Sequence, residues 1–215
     1  MMRSRTNADT VRSRRTQDET GGRRLRRRLG IGALVVLGAL IIAPASAGAT
    51  PKFGAYLAGD PDPVDVPEWC PGGAGEKCTR MAINYEDPPH AGPTPFAPET
   101  GVIDKIKVVS DTAGSFRLQL AKYQGLPTVN MEARVRANGP KISYDGTGSI
   151  ETFNVDVPVK RFQWLAIRTK FAGTLQCSAG IDGEAIFQPP LTVDGPFTPV
   201  DYYSGCTHLV QAVME

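Results

Sequence analysis

Trp69, Trp164, Tyr202 and Tyr203 are the side chains best suited to hold a sugar, because flat aromatic faces stack on pyranose rings and bury large area at little entropic cost. The same residue types fill cores and close loops, so packing is the competing use of each. A calcium site would draw on the loop acids Asp145, Asp182, Asp194 and Asp201. Calcium needs about six to eight converging oxygens, however, and the Asp-Gly pairs here are more simply turn formers. Glycoside hydrolysis needs two carboxylates at a defined separation. Glu151, Asp156 and Glu184 are available, but among the nineteen acids beyond residue 47 their availability discriminates nothing. A nucleophilic triad has less support. His90 lies in a proline-rich loop, His208 follows Cys206, and there is no G-x-S-x-G elbow; His208 is expected as a strand residue near the surface. Lys105, Lys107, Arg117, Arg134 and Arg136 would form a basic patch for acidic wall polymers if they shared one sheet. A solvated face with cross-strand ion pairs is the simpler account of them. No motif calls for a metal or another cofactor.

The four cysteines, Cys70, Cys78, Cys177 and Cys206, all follow an export-type leader, in a compartment where disulfides persist. Three pairings are open. Cys70 with Cys78 and Cys177 with Cys206 are favoured, since each pair stays within one end of the domain. Zinc is disfavoured by the lack of any C-x-x-C pair.

The leader is a basic head, residues 1–28, followed by a hydrophobic export segment, residues 29–49. Leu29 to Ala43 is free of charge and directly follows the Arg23–Arg28 cluster, the layout of a signal peptide. Small residues then permit cleavage after Ala47 or after Ala49. The uncharged stretch runs on to Pro51, long enough for the alternative of an uncleaved membrane anchor. Either way the arginines stay inside and the rest emerges outside. The membrane is thus touched only through this segment, and the domain is expected to be secreted or tethered.

Ten arginines against three acids give residues 1–47 a charge of +7, so the chain's overall +2 leaves −5 for everything after them. A mildly acidic exported part argues against nucleic acid as its partner.

Residues 50–67 carry repeated prolines and are expected to be a linker, or a strap lying on the domain. A second proline-rich loop spans Glu86 to Gly101. From Val102 onward apolar residues recur with period two. Val102, Ile106 and Val108 oppose Lys105 and Lys107, and Phe116, Leu118 and Leu120 oppose Arg117 and Gln119. Met131, Ala133 and Val135 repeat the pattern, as do Phe153, Val155 and Val157. Further strands are expected over 78–85, 163–171, 173–178, 184–188 and 207–214. About nine strands, with one wet face and no amphipathic helix, predict an all-β fold over residues 68–215. The expected form is an antiparallel two-sheet β-sandwich, jelly-roll-like, preceded by the signal or anchor helix.

The runs FAPETGVIDKIKV, GSFRLQLAK, GTGSIETFNVDVPV and RFQWLAIRT resemble a group of uncharacterised exported actinobacterial proteins, each a single β-sandwich. The likeness covers roughly Phe96 to Glu215 and implies fold and export. It carries over no catalytic or binding residue. At greater distance the layout is similar to carbohydrate-binding modules, a likeness of fold alone. The expected function is a non-catalytic extracytoplasmic domain that binds a glycan or another envelope component. A polysaccharide-active enzyme and a purely structural envelope protein are the alternatives.

Overall fold

The computed structural model describes residues 50–58, 70, 75–83, 93–126, 129–170, 175–177 and 183–215. The basic head, the export segment with Ala47 and Ala49, Trp69, His90 and Asp182 lie outside the described residues, as do the side chains of Gln176 and Cys177.

Only strands form among the described residues. In chain order they are β1 (Lys52–Gly54), β2 (Cys78–Ala82), β3 (Gly101–Val109), β4 (Gly114–Gln124), β5 (Glu132–Tyr144), β6 (Ile150–Val159) and β7 (Trp164–Thr169). There follow β8 (Leu175–Cys177), β9 (Glu184–Phe187), β10 (Thr198–Pro199), β11 (Tyr202–Ser204), β12 (Cys206–His208) and β13 (Val210–Met214). They assemble into a four-stranded sheet in the order β1-β13-β3-β6, a seven-stranded sheet in the order β10-β5-β4-β7-β2-β9-β11, and the pair β12-β8. All named strand pairs are antiparallel.

The main core joins the two larger sheets. Ile103, Ile106, Val108, Val157, Val210 and Met214 of the four-stranded sheet cluster with Phe116, Leu118, Leu120, Ile142, Leu165 and Ile167 of the seven-stranded one. The period-two reading of β4 accounts for its apolar face. In β3 the residue facing inward is Ile103 rather than Val102. The register against β13 and β6 shifts between Ile103 and Lys105, and such an irregularity at Asp104 exchanges the two faces of a strand.

The expected wet face of the seven-stranded sheet is only partly wet. Gln119 is completely buried, because the chain from Gln188 to Val200 crosses this face and caps a second apolar cluster containing Met81, Ala121, Val135, Trp164, Phe187 and Leu191. Buried polar groups must find partners, and here they do. Thr79 Oγ1 donates to Gln119 Oε1 at 2.8 Å and accepts from the Leu191 N–H at 3.0 Å. Gln119 Nε2 donates to Asn138 Oδ1 at 2.9 Å and to the Leu191 carbonyl at 3.3 Å. The crossing segment is pinned further by the Asp194 N–H on the Val135 carbonyl at 3.0 Å and by the pairing of β10 with β5.

Part of the segment expected as a linker enters the sheet instead. Lys52, Phe53 and Gly54 pair with Val213, Ala212 and Gln211, and Phe53 is fully buried in the main core. Gly54 makes this approach possible: its φ is +101°, and a Cβ there would meet Leu165 Cδ2 at 2.5 Å and the Val210 carbonyl at 2.6 Å. Short strands such as β1, β10 and β11 carry too few residues for a period to be read.

Cys70 and Cys78 are disulfide-bonded as expected, with Cα atoms 5.5 Å apart. Cys206 is disulfide-bonded as well. The backbone register sets it directly opposite Cys177, its expected partner.

If β1 is an integral strand, Phe53→Ala should cost about 3–5 kcal/mol, the usual loss for a buried aromatic. Chemical denaturation of the full chain measures it. A loss below about 1 kcal/mol, as for a surface substitution, would mean that the segment merely lies on the domain.

Candidate functional site

Converging ionisable groups are the first place to look for chemistry. In the described residues they meet at Arg80 on β2, Glu184 on β9 and His208 on β12. Antiparallel pairing sets Arg80 opposite Ile186 and Glu184 opposite Ala82, so both project from one face of two neighbouring strands. Arg80 Nε donates to Glu184 Oε2 at 2.6 Å. The other carboxylate oxygen, Oε1, accepts from the His208 backbone N–H at 2.6 Å and from His208 Nδ1 at 2.5 Å. Solvent reaches none of the three: their side chains are 1%, 0% and 0% exposed.

The neighbouring backbone fits this arrangement closely. The Gly183 carbonyl accepts from the Ile83 N–H at 3.0 Å, and the Gly183 N–H donates to the Ser204 carbonyl at 2.6 Å. Thr207 Oγ1 donates to the Gly183 carbonyl at 3.4 Å. A Cβ on Gly183 would collide with Thr207 Oγ1 and come within 3.1 Å of the Cys206 carbonyl group. A smaller side chain than hydrogen does not exist, so β9 and β12 can draw this close only at a glycine.

Burial alone would push the Glu184 carboxyl up. The Arg80 guanidinium, together with the charge and hydrogen bonds of His208, outweighs that and holds it below the usual carboxylate range. Glu184 is therefore an anion committed to two partners. A general acid or base must reach a substrate proton, and this carboxylate faces only protein. His208, expected near the surface, is wholly buried. Its Nε2 is buried too, with no hydrogen-bond partner among the described residues. The arrangement shares the His-carboxylate contact of catalytic triads, but it is sealed and built into the packing between strands.

The other acids weighed for hydrolysis do not join it. Glu151 of β6 accepts from the backbone N–H groups of Asp145 at 2.9 Å and Gly146 at 3.0 Å, closing a turn. Asp156 is exposed on the same strand. Among the loop acids, Asp194 faces Arg136 at 3.5 Å and Asp201 accepts from the Gln188 N–H at 2.6 Å. No group of three or more metal-ligating side chains forms among the described residues.

Of the expected aromatic platform, Trp69 lies outside the described residues, and the described members do not share one exposed surface. Trp164 is buried in the second cluster, with Tyr123 edge-on at 4.8 Å and Phe96 at 5.4 Å. Tyr203 is half-buried against that cluster, leaving Tyr202 as the exposed member, at 55%. An aromatic that sequence reasoning passed over is equally open: Phe162, 55% exposed, in the turn between β6 and β7. Its φ of +64° is rare for a bulky residue, and the Arg161 guanidinium lies 4.5 Å over its ring. The signal was a phenylalanine in the tight turn Lys160-Arg161-Phe162-Gln163.

The expected basic patch is divided between sheets. Lys105 and Lys107 lie on β3, whereas Arg117 lies on β4 and Arg134 and Arg136 on β5. Within the seven-stranded sheet the β4–β5 register shifts twice, between Arg117 and Gln119 and between Leu120 and Ala121. Arg134 sits 4.5 Å over the Phe197 ring and Arg136 turns to Asp194. Arg117 has a different set of neighbours.

Sequence reasoning missed the buried ion group, although β2 offered a signal. In Cys-Thr-Arg-Met-Ala a cation sits at the centre of a short, otherwise uncharged strand, and every residue of it is buried. A charge buried in this way implies a buried counter-charge.

Glu184→Gln should destabilise the chain by about 3–5 kcal/mol, because it removes the carboxylate charge that the buried Arg80 guanidinium and the two His208 donors are arranged around. The pH dependence has a definite sign. The folded-state pKa of Glu184 lies below its unfolded value, so its contribution is complete above the ordinary carboxylate range and is lost as pH falls through the lowered folded value. Urea midpoints recorded from neutral to acid pH should show a steeper acid loss for the native chain than for Glu184→Gln. Parallel profiles would mean that Glu184 is not held as an anion.

Comparison of the chain with protein-family models, with curated proteins and with solved structures returns no match.

Proposed function

We propose that this chain is an extracytoplasmic, non-catalytic β-sandwich domain that binds a glycan or another component of the cell envelope. The single observation that carries the reading is the burial of Glu184 and His208. The converging acid and imidazole that an enzyme would need are spent on holding strands together. The sandwich is inferred from the core shared by the four- and seven-stranded sheets; these strand numbers differ from the eight of a jelly roll. Export is supported by the leader's charge pattern and by a disulfide, a bond that persists in oxidising compartments. The resemblance to exported actinobacterial β-sandwich proteins points the same way. Anchored or released, the domain then meets the polymers of the envelope.

The experiment is sedimentation of the full chain with purified cell-wall and polysaccharide fractions, together with a reducing-end assay on the soluble products. Retention by at least one fraction without release of new reducing ends is expected. Glycan cleavage that disappears in Glu184→Gln, while the variant stays folded, would replace this reading with the enzymatic one.

A further inference from the structure

The crossing segment that covers the second apolar cluster leaves the adjoining part of the same sheet face open, and cations occupy it. Arg117 of β4 pairs in register with Lys141 of β5 on one side and with Arg168 of β7 on the other. Directly paired residues on neighbouring strands point to the same face, so three cations stand abreast within about 10 Å, given a strand spacing of ~4.8 Å. Like charges set opposite one another destabilise a sheet. Among the described residues no carboxylate forms an ion pair with Arg117, Lys141 or Arg168. Among the described residues, the hydrogen bond that these three side chains make is from Arg117 Nη1 to the Gly139 carbonyl at 3.3 Å.

Beside this row lies an open cleft of about 510 Å³, lined by Arg168, Lys170, Lys77, Glu76, Pro189 and Pro190 among others. Two residues beyond Arg168 and two before Thr79, its partner in the register, Lys170 and Lys77 extend the cationic row into the cleft. Among the described residues, Glu76 is the single acid of its lining. Pro189 and Pro190 add a rigid apolar wall.

We infer that this row and cleft form a binding site for a linear acidic polysaccharide, with carboxylates along the Lys141–Arg117–Arg168 row and sugar rings against the prolines. The inference rests on the envelope-binding reading above and assigns that reading a site and a ligand chemistry. Guanidinium forks match carboxylates in plane and hydrogen-bond number, and an unneutralised row of cations is relieved by a polymer that brings the opposite charge to each. The apolar wall favours a sugar chain over a bare polyanion, since binding sites pair a few placed polar groups with apolar lining. The net negative charge beyond residue 47 opposes long-range attraction of any polyanion, so recognition rests on short-range contacts within the row and the cleft.

The test uses the full chain and polygalacturonate, with Arg117→Gln/Lys141→Gln/Arg168→Gln compared with the native protein. Both carry the arginine-rich head, so the difference isolates the row. Affinity should fall about tenfold or more in the triple variant, and native binding should weaken strongly at about 0.5 M salt. The triple variant should melt at or above the native temperature, since like-charge repulsion is removed, which separates lost binding from lost folding. Lys105→Gln/Lys107→Gln, on the other sheet, should bind as the native chain does. Equal affinity of the native and triple forms, or an equal loss in the β3 variant, would overturn the site. Equal or tighter binding of single-stranded DNA through the same residues would overturn the ligand class. Retention on wall or neutral polysaccharide unchanged by the triple substitution would leave the envelope-binding reading standing and remove this site; retention by no fraction at all would remove both.

Discussion

A buried carboxylate is tolerable only if every partner it needs is present, and Glu184 finds them on two other strands. Arg80 supplies the counter-charge from β2, within the seven-stranded sheet. His208 supplies two N–H donors from β12, two residues before β13 enters the centre of the four-stranded sheet. The ion group therefore lies where the chain passes from one layer to the other. Desolvating these charges is costly, and well-packed apolar residues of similar volume can do as well or better energetically. What the charged solution adds is directionality: the carboxylate accepts in fixed directions, and the strand that carries His208 has one position in which both of its donors are used.

The same economy of buried polar groups shapes the outer face of the seven-stranded sheet. Thr79, Gln119 and Asn138 would be ordinary wet-face residues, yet they bond to one another and to the backbone of Leu191, and this fixes where the crossing segment lies. That segment seals the part of the face over Ala121 and Val135 and stops short of Arg117 and its neighbours. Two small hydrogen-bond networks thus stand back to back on adjacent residues of β2: Arg80 looks into the main core, and Thr79 looks out under the crossing segment.

Much of the fold was legible in the sequence where strands were long and alternating. β4 carried Phe116, Leu118 and Leu120 inward as read, and β6 turned Phe153, Val155 and Val157 toward the core. Legibility failed at irregularities. The shift at Asp104 puts Ile103 inside in place of Val102, and the shifts between β4 and β5 pass over Arg136, Gly139 and Pro140, which have no register partner on β4. A period cannot report a bulge, because the extra residue leaves composition unchanged and is defined only against a partner strand. The three-residue β1 was hidden among prolines, and its strand character comes from the hydrogen bonds β13 offers and from the burial of Phe53. Of the candidate sites, the Cys70–Cys78 bridge was readable from spacing. The ion group was not, since Arg80, Glu184 and His208 are each more than twenty residues from the next and meet only through the strand order.

Equilibrium unfolding of the full chain with Arg80→Met, with Glu184→Leu and with both substitutions together tests the structural role of this ion group most directly. Each single change removes one half of the Arg80–Glu184 pair, whereas the double change removes both, so the double variant should lose at least about 2 kcal/mol less than the two single losses combined. Additivity within about 0.5 kcal/mol, the behaviour of independent sites, would contradict the view that Glu184 and its partners are the constraint that joins the sheets.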